Sequence, residues 1–204
     1  MKTPCIKTKF LMVRHATCAH IDDTLLGRTL DASLDAHGER QARALAERLR
    51  TEAPVCIESS PRRRALQTAQ AIAEHARCDV KVAPALDELD FGEWSGQTFE
   101  RLERESGWRR WNNDRDCART PAGFDIRAVQ RSIALHLLAL AATCAGATLV
   151  LVTHAEIIRS LILHCLHAPA GDYARFAVDP ASITCFSSNA TGLHLEALNE
   201  VVAP

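Results

Sequence analysis

Two short apolar runs, each cut off by a histidine, punctuate an otherwise amphipathic chain. The first is Phe10-Leu11-Met12-Val13, followed by Arg14, His15 and Ala16; the second is Leu149-Val150-Leu151-Val152, followed by Thr153, His154 and Ala155. Runs of this length without polar alternation read as strands buried on both faces. Between them the apolar period lengthens to that of helices. Ala42, Leu45, Ala46 and Leu49 predict a helix over about 35–52, with His37-Gly38 at its start. Val55-Cys56-Ile57 predicts a second strand. Ser60-Pro61 predicts the next helix, with Ser at N-cap and Pro at N1, carrying Ala65, Leu66, Ala69, Ile72 and Ala73 to about residue 76. A short strand is expected at 80–82, an acidic glycine-punctuated loop at 86–96, a short helix at 98–107 and irregular chain at 108–122. A long helix over 125–145 turns Val129, Ile133, Leu137 and Leu140 inward. A helix from Glu156 to about His167 and two short strands near 183–186 and 193–198 complete the pattern.

Strands alternating with helices predict an α/β fold, a three-layer α/β/α sandwich on a mostly parallel central sheet. With 204 residues the chain is read as one domain, 1–204, with 86–122 as a lid-like insertion. Open sheets of this kind take ligands outside the carboxyl ends of their strands, which is where both histidines fall.

Charge and composition narrow the partners. Lys plus Arg number 24 and Asp plus Glu 25, for a net charge of -1, so no broad basic field for nucleic acid is expected. No apolar stretch approaches a membrane span. Eight cysteines are scattered singly without a C-x-x-C pair, and the start from Met1 to Lys9 is polar. A cytoplasmic protein with reduced, mostly packed thiols is the expectation. His136 and His164 are read as surface or helix-packing residues, and His164-Cys165-x-His167 as structural, because it lacks further metal-ligand partners.

Arg62-Arg63-Arg64 crowds three cations into the first turn of a helix, whose dipole already favours anions. Arg62 and Arg63 are read as solvated, with Glu58 nearby. Arg64 is set apart by the run Ala65-Leu66-Gln67-Thr68-Ala69. Two imidazoles and guanidinium groups converging at strand ends suit a phosphate.

Arg14-His15, Ser60-Pro61 through Arg64 to Ala69, Leu86-Asp87-Glu88 with Gly92, and Thr153-His154 together resemble the histidine phosphatase superfamily, the phosphoglycerate mutase-like group. The run from Asp90 to Gly96, Trp108 with Trp111, and Gly123-Phe124 are most similar to the α-ribazole phosphatase branch. The resemblance implies that His15 is a nucleophile forming a phosphohistidine, and that Arg14, Arg64 and His154 surround the phosphoryl oxygens. Glu88 would donate a proton to the leaving alkoxide and later activate water. It implies no cofactor and no metal. Gly27 and Arg28 resemble positions near the substrate in relatives.

The chain departs from the family pattern in places. Ala16 and Ala155 stand where glycine is commonest, and Ile21 where an asparagine usually helps hold the phosphate. His20 could substitute for that asparagine if the loop slips by one. Glu156 is unusual so near the second histidine; it could contact substrate or compete with Glu88 as donor. Trp94, Trp108 and Trp111 are placed near the mouth of the site. The expected function is a metal-independent phosphomonoesterase acting on a small phosphorylated metabolite, with α-ribazole 5′-phosphate as an instance. The alternatives are a phosphoglycerate mutase-like phosphotransferase, disfavoured by a short tail after the last strand, and a non-catalytic pseudo-phosphatase that binds phosphorylated ligands. Oligomeric state is left open, a homodimer included.

Overall fold

The computed structural model describes residues 7–204; Cys5 and most of the polar N-terminal stretch lie outside them. Six strands form one sheet: β1 (Thr8–Arg14), β2 (Cys56–Ser59), β3 (Val80–Val82), β4 (Thr148–Thr153), β5 (Ser182–Asn189) and β6 (Gly192–Val201). Their order is β3-β2-β4-β1-β5-β6. The four strands on the β3 side run parallel, and β5 and β6 extend the far edge antiparallel.

Both apolar runs are central strands, and each feeds two cores. Phe10 and Met12 of β1, with Leu149 and Leu151 of β4, face one layer; Leu11, Val13, Val150 and Val152 face the other. Burying a side chain of this size contributes about 1.5–3 kcal/mol, which explains why neither run carries a polar position. The second layer holds α1 (Ala36–Leu49) and α2 (Arg63–Ala76). The first holds α5 (Ile126–Thr143), α6 (Ala155–Cys165) and the buried side chains of 86–118.

Local departures from the sequence pattern have local causes. Helix α2 begins at Arg63 with Arg62 as its N-cap, two residues after the predicted start. Ser60 does not cap the helix in the predicted sense: its hydroxyl is directed at His154, and Asp31 of the preceding loop accepts from Arg63 N at 2.8 Å instead. The predicted helix at 98–107 is broken into α3 (Phe99–Leu102) and α4 (Ser106–Asn113), so part of the stretch expected to be irregular is helical. Its driving force is burial of Trp108 and Trp111 on one side of α4. Segment 86–118 contributes Leu86, Leu89, Phe91, Trp94, Leu102 and Trp111 to the core beside β1 and β4. His136, read as a surface or packing residue, meets Glu58 of β2 at 2.7 Å, so Glu58 serves α5 rather than the arginine run.

Helix α1 abuts the loop leaving β1. Asp35 caps it by accepting from Gly38 N at 2.7 Å, and a Cβ on Gly38 would lie 1.9 Å from the Thr17 carbonyl oxygen. In an open helix Gly→Ala stabilises by about 1 kcal/mol. Here Gly38→Ala is expected to destabilise by about 1–3 kcal/mol through overpacking, read from urea unfolding midpoints. A gain in stability would show that the loop after His15 is free to move aside.

Candidate active site

The hydrogen-bond ladder of the sheet runs one residue past the strand ends. Ser60 N donates to Val152 O and His15 N to Thr153 O, both at 2.9 Å. Arg14 is opposite Thr153 in the parallel register, so His15 and His154 leave neighbouring strands side by side. They also share the parity of Val13 and Val152, whose side chains face α1 and α2. Their ring centroids are 5.2 Å apart. Arg64 projects from the first turn of α2 into the same place and is 1% exposed. Its Nε donates to His15 Nε2 at 3.2 Å, and its Nη2 lies 3.3 Å from His154 Nδ1. The guanidinium is braced by the carbonyls of Gly27 and Leu30, at 3.0 and 3.3 Å. Planar, multidentate donors of this kind suit a phosphoryl group.

The tautomer of His15 follows from its partners. Nδ1 lies 2.8 Å from the Ala16 carbonyl, which can only accept, so Nδ1 carries the proton and Nε2 presents a lone pair. Burial, then the charges of Arg64 and Arg14, hold the His15 pKa well below the usual histidine range. His154 is lowered for the same leading reason, with Arg64 and His15 adding to it. Both imidazoles are therefore neutral at pH 7. Glu88 Oε2 lies 3.5 Å from His154 Nδ1 and 3.9 Å from Arg64 Nη2. Burial raises its pKa to about 7, against the lowering effect of Arg64; the nearby Glu156 adds to the rise. Arg14 donates to Val178 O at 2.7 Å, and its Nε is buried without a hydrogen-bond partner among the described residues.

A cavity of about 620 Å³ is lined by Arg14, His15, Arg64 and Glu88, whereas His154 is fully buried and is not among its lining residues. Gly27 lines it too, with φ +54°, a conformation that leaves a Cβ 2.3 Å from Ser95 Oγ. Arg28 does not line it. Its Nε donates to the Glu88 carbonyl at 2.6 Å, its guanidinium stacks on Phe124, and it borders a separate cavity of about 280 Å³. Arg28 thus holds the Glu88 backbone and is not placed to touch a molecule in the larger cavity. Arg62 is not solvated as read: it pairs with Asp87 at 2.9 Å and donates to Arg28 O. Ile21 lines the cavity, whereas His20 is exposed beside Asp23 and does not replace the missing asparagine.

Glu156 lines the cavity but is engaged, accepting from Arg115 Nη1 at 2.8 Å. Sequence reasoning missed Arg115, which lay in a stretch read as irregular. It is 5% exposed, with its guanidinium 3.6 Å from the centroid of Tyr173 and 4.8 Å from that of Trp111. Arg159 and Tyr173, bonded at 3.3 Å, continue this wall. Phe91, Phe99 and Trp108 line the cavity as well. Of the three tryptophans expected at the mouth only Trp108 lines it; Trp94 and Trp111 are buried core. Among the described residues no cluster of His, Cys, Asp and Glu is arranged to hold a metal ion, and no helix is long and apolar enough to cross a membrane.

Residues 10–201 match the family described as the histidine phosphatase superfamily, branch 1. The chain belongs to the histidine phosphatase superfamily. Within it, a probable phosphoglycerate mutase, GpmB, of Enterobacter is 31% identical over 175 residues, 85% of this chain and 81% of the relative. A probable phosphatase of Schizosaccharomyces pombe is 38% identical over 90 residues, where the chain spans only 32% of the relative's length. A phosphoserine phosphatase of Entamoeba histolytica, solved with phosphoserine, superposes with TM-score 0.87 at 28% identity, covering 95% of this chain and 98% of that one. An Escherichia coli protein described as a putative α-ribazole-5′-P phosphatase shares the fold, with TM-score 0.83, 23% identity and coverage of 97% and 98%.

The raised Glu88 has a consequence for stability. In the folded superfamily domain it keeps its proton to about pH 7, against 4.5 for the ordinary group, so the wild type loses stability as pH rises between those values. Glu88→Gln removes that titration while leaving both histidines. Relative to wild type it is expected to gain ~3 kcal/mol between pH 4.5 and pH 8, measured as urea unfolding free energy at each pH. A difference that does not change with pH would contradict a buried, proton-holding Glu88.

Proposed function

We propose that this phosphatase is a metal-independent phosphomonoesterase that hydrolyses a small phosphorylated metabolite through a phosphohistidine. The observation that carries the reading is the polarity of His15. Its Nδ1–H is tied to the Ala16 carbonyl and its Nε2 lone pair opens toward the Arg64 guanidinium, the group suited to hold the phosphorus under attack.

In the first step His15 Nε2 bonds to phosphorus and the bond to the leaving oxygen breaks. Glu88 gives its proton to that oxygen, so a neutral alcohol departs. In the second step the Glu88 carboxylate takes a proton from water as its oxygen bonds to phosphorus and the His15–phosphorus bond breaks, releasing orthophosphate. Arg14, Arg64 and His154 surround the phosphoryl oxygens and stabilise the charge that develops on them. A group that must donate and then accept a proton at neutral pH is best served by a pKa near 7, which favours Glu88 over the arginine-paired Glu156. Gly27 and Glu156 border the alcohol portion of the ester, and Phe91, Phe99 and Trp108 offer aromatic surface to it. That surface supports a flat alcohol such as that of α-ribazole 5′-phosphate, a substrate suggested by the Asp90–Gly96 resemblance. A cytoplasmic setting suits the seven described cysteines, all free thiols.

Hydrolysis of p-nitrophenyl phosphate in EDTA is expected for the wild type and to fall at least about a thousandfold in His15→Ala. Loss of wild-type activity in EDTA would overturn metal independence, and inactivity under all conditions would favour a phospho-ligand-binding protein. A phosphoenzyme that discharges to an acceptor hydroxyl instead of water would indicate the mutase.

Leaving-group chemistry tests Glu88 separately. Glu88→Gln is expected to slow alkyl phosphates about a hundredfold or more, and p-nitrophenyl phosphate, whose leaving group needs no proton, by under about tenfold. For alkyl phosphates kcat/KM of the wild type is expected to decline above pH about 7, where Glu88 ionises. Equal losses on both esters, or a selective loss only in Glu156→Gln, would reassign the acid.

A further inference from the structure

Four guanidinium groups line the cavity, those of Arg14, Arg64, Arg115 and Arg159. The reaction above employs the first two. Arg115 is taken by Glu156, whose carboxylate it meets at 2.8 Å. Arg159, three residues further along α6, has no part in the reaction. Its Nε donates to Phe176 O at 2.8 Å and its Nη1 to the Tyr173 hydroxyl at 3.3 Å, both uncharged acceptors. Glu156 and Asp179 act on it from beyond ion-pair distance, and among the described residues no carboxylate pairs with it.

The fold sets this cation beside the reactive centre. Arg14 shares the strand parity of Met12, so its side chain leaves β1 toward the layer of α6, which carries Arg159. Arg14 donates to Val178 O, two residues from the carbonyl that holds Arg159. Two residues of chain span at most about 7 Å, so both guanidinium groups are tethered to one short stretch of the wall. They repel each other: after burial, Arg159 is the strongest influence lowering the Arg14 pKa. A phosphoryl group brings close to two negative charges at pH 7, which Arg14 and Arg64 match. With Glu88 protonated and Glu156 held by Arg115, the positive charge of Arg159 remains uncompensated. A half-buried cation facing a like charge is stabilised by an anion brought between them.

We propose that Arg159 is a specificity-determining residue that seats a second anionic group, a carboxylate or a further phosphoryl, carried by the alcohol portion of the ester. The two anions then rest on neighbouring guanidinium groups, which suits a separation of about two or three carbon atoms within one small molecule. Phe176 O and Tyr173, whose ring centroid lies 4.9 Å from the guanidinium carbon, fix the direction of Arg159, so little side-chain freedom is lost on binding. An uncharged alcohol, that of α-ribazole 5′-phosphate included, leaves Arg159 without a counter-charge. The inference rests on the phosphomonoesterase reading for the ester and goes beyond it in naming the charge of the alcohol.

Phosphonates hold no ester to cleave, so their binding tests the seat apart from turnover. Isothermal titration calorimetry compares propylphosphonate with 3-phosphonopropanoate, in which a carboxylate replaces the terminal methyl. A third probe, ethane-1,2-diyl bisphosphonate, carries a second phosphoryl instead. The wild type is expected to bind at least one of these two about tenfold or more tighter than propylphosphonate, and the tighter of the two names the second anion. Arg159→Met is expected to remove that preference while changing propylphosphonate affinity by under about threefold, and Arg159→Lys to keep part of it. No preference in the wild type for either probe over propylphosphonate would overturn the proposal, and this comparison decides even if the variants do not fold. An Arg159→Met protein that weakens all three probes alike would overturn it too, as the mark of a residue that only braces the 173–178 segment. A wild type that shows the preference yet cleaves no ester would uphold the anion seat and remove the hydrolase reading.

Discussion

The site depends on a register. Three parallel strands, β2, β4 and β1, stop within one residue of one another, and their amide ladder continues through Ser60 and His15 before the chains diverge. Side chains in a strand alternate faces, so a slip of one residue in β4 would send His154 toward the layer of α5 and α6, and away from Arg64. The buried Val13 and Val152 prevent that slip, because each would have to exchange layers with its neighbour. The hydrophobic pattern that makes the sheet therefore also aims the two imidazoles.

Arg64 is the second constraint. It is a cation held almost wholly out of water, with carbonyls from the Gly27–Leu30 turn on one side and two neutral imidazoles on the other. Burial lowers its pKa, an effect countered most by Glu88. Its field, together with burial, keeps His15 and His154 neutral. Glu88 feels the opposite balance: burial raises its pKa more than Arg64 lowers it. One dry pocket thus yields unprotonated bases and a protonated acid at the same pH, a separation suited to phosphoryl transfer.

What could be read in advance follows from how local each signal is. The two strand runs, His15, His154 and the Arg64 motif were legible because their meaning lies in neighbouring residues and in the two-residue period of strands. Glu88 was selected by its register with Gly92, and the structure places it against His154. Arg28 was misread because its proximity to Gly27 in sequence says nothing about direction: Gly27 turns the chain, and Arg28 points to Asp87 and Phe124. Arg115 left no periodic trace, since its partners Glu156 and Tyr173 are 41 and 58 residues away. Ser60 carried a helix-start signature that a tertiary partner, His154, outcompeted for its hydroxyl.

The cavity divides by origin as well as by chemistry. Arg14 and His15 come from the end of β1 and Arg64 from the first turn of α2, whereas Glu88, Trp108, Asn112, Arg115 and Tyr173 come from connecting segments that carry no strand. Substitutions at Trp108, Asn112, Arg115 or Tyr173 therefore alter that wall of the cavity while His15, Arg64 and Glu88 are kept. Such a scaffold can drift between metabolites over evolutionary time without first losing its capacity to cleave the ester.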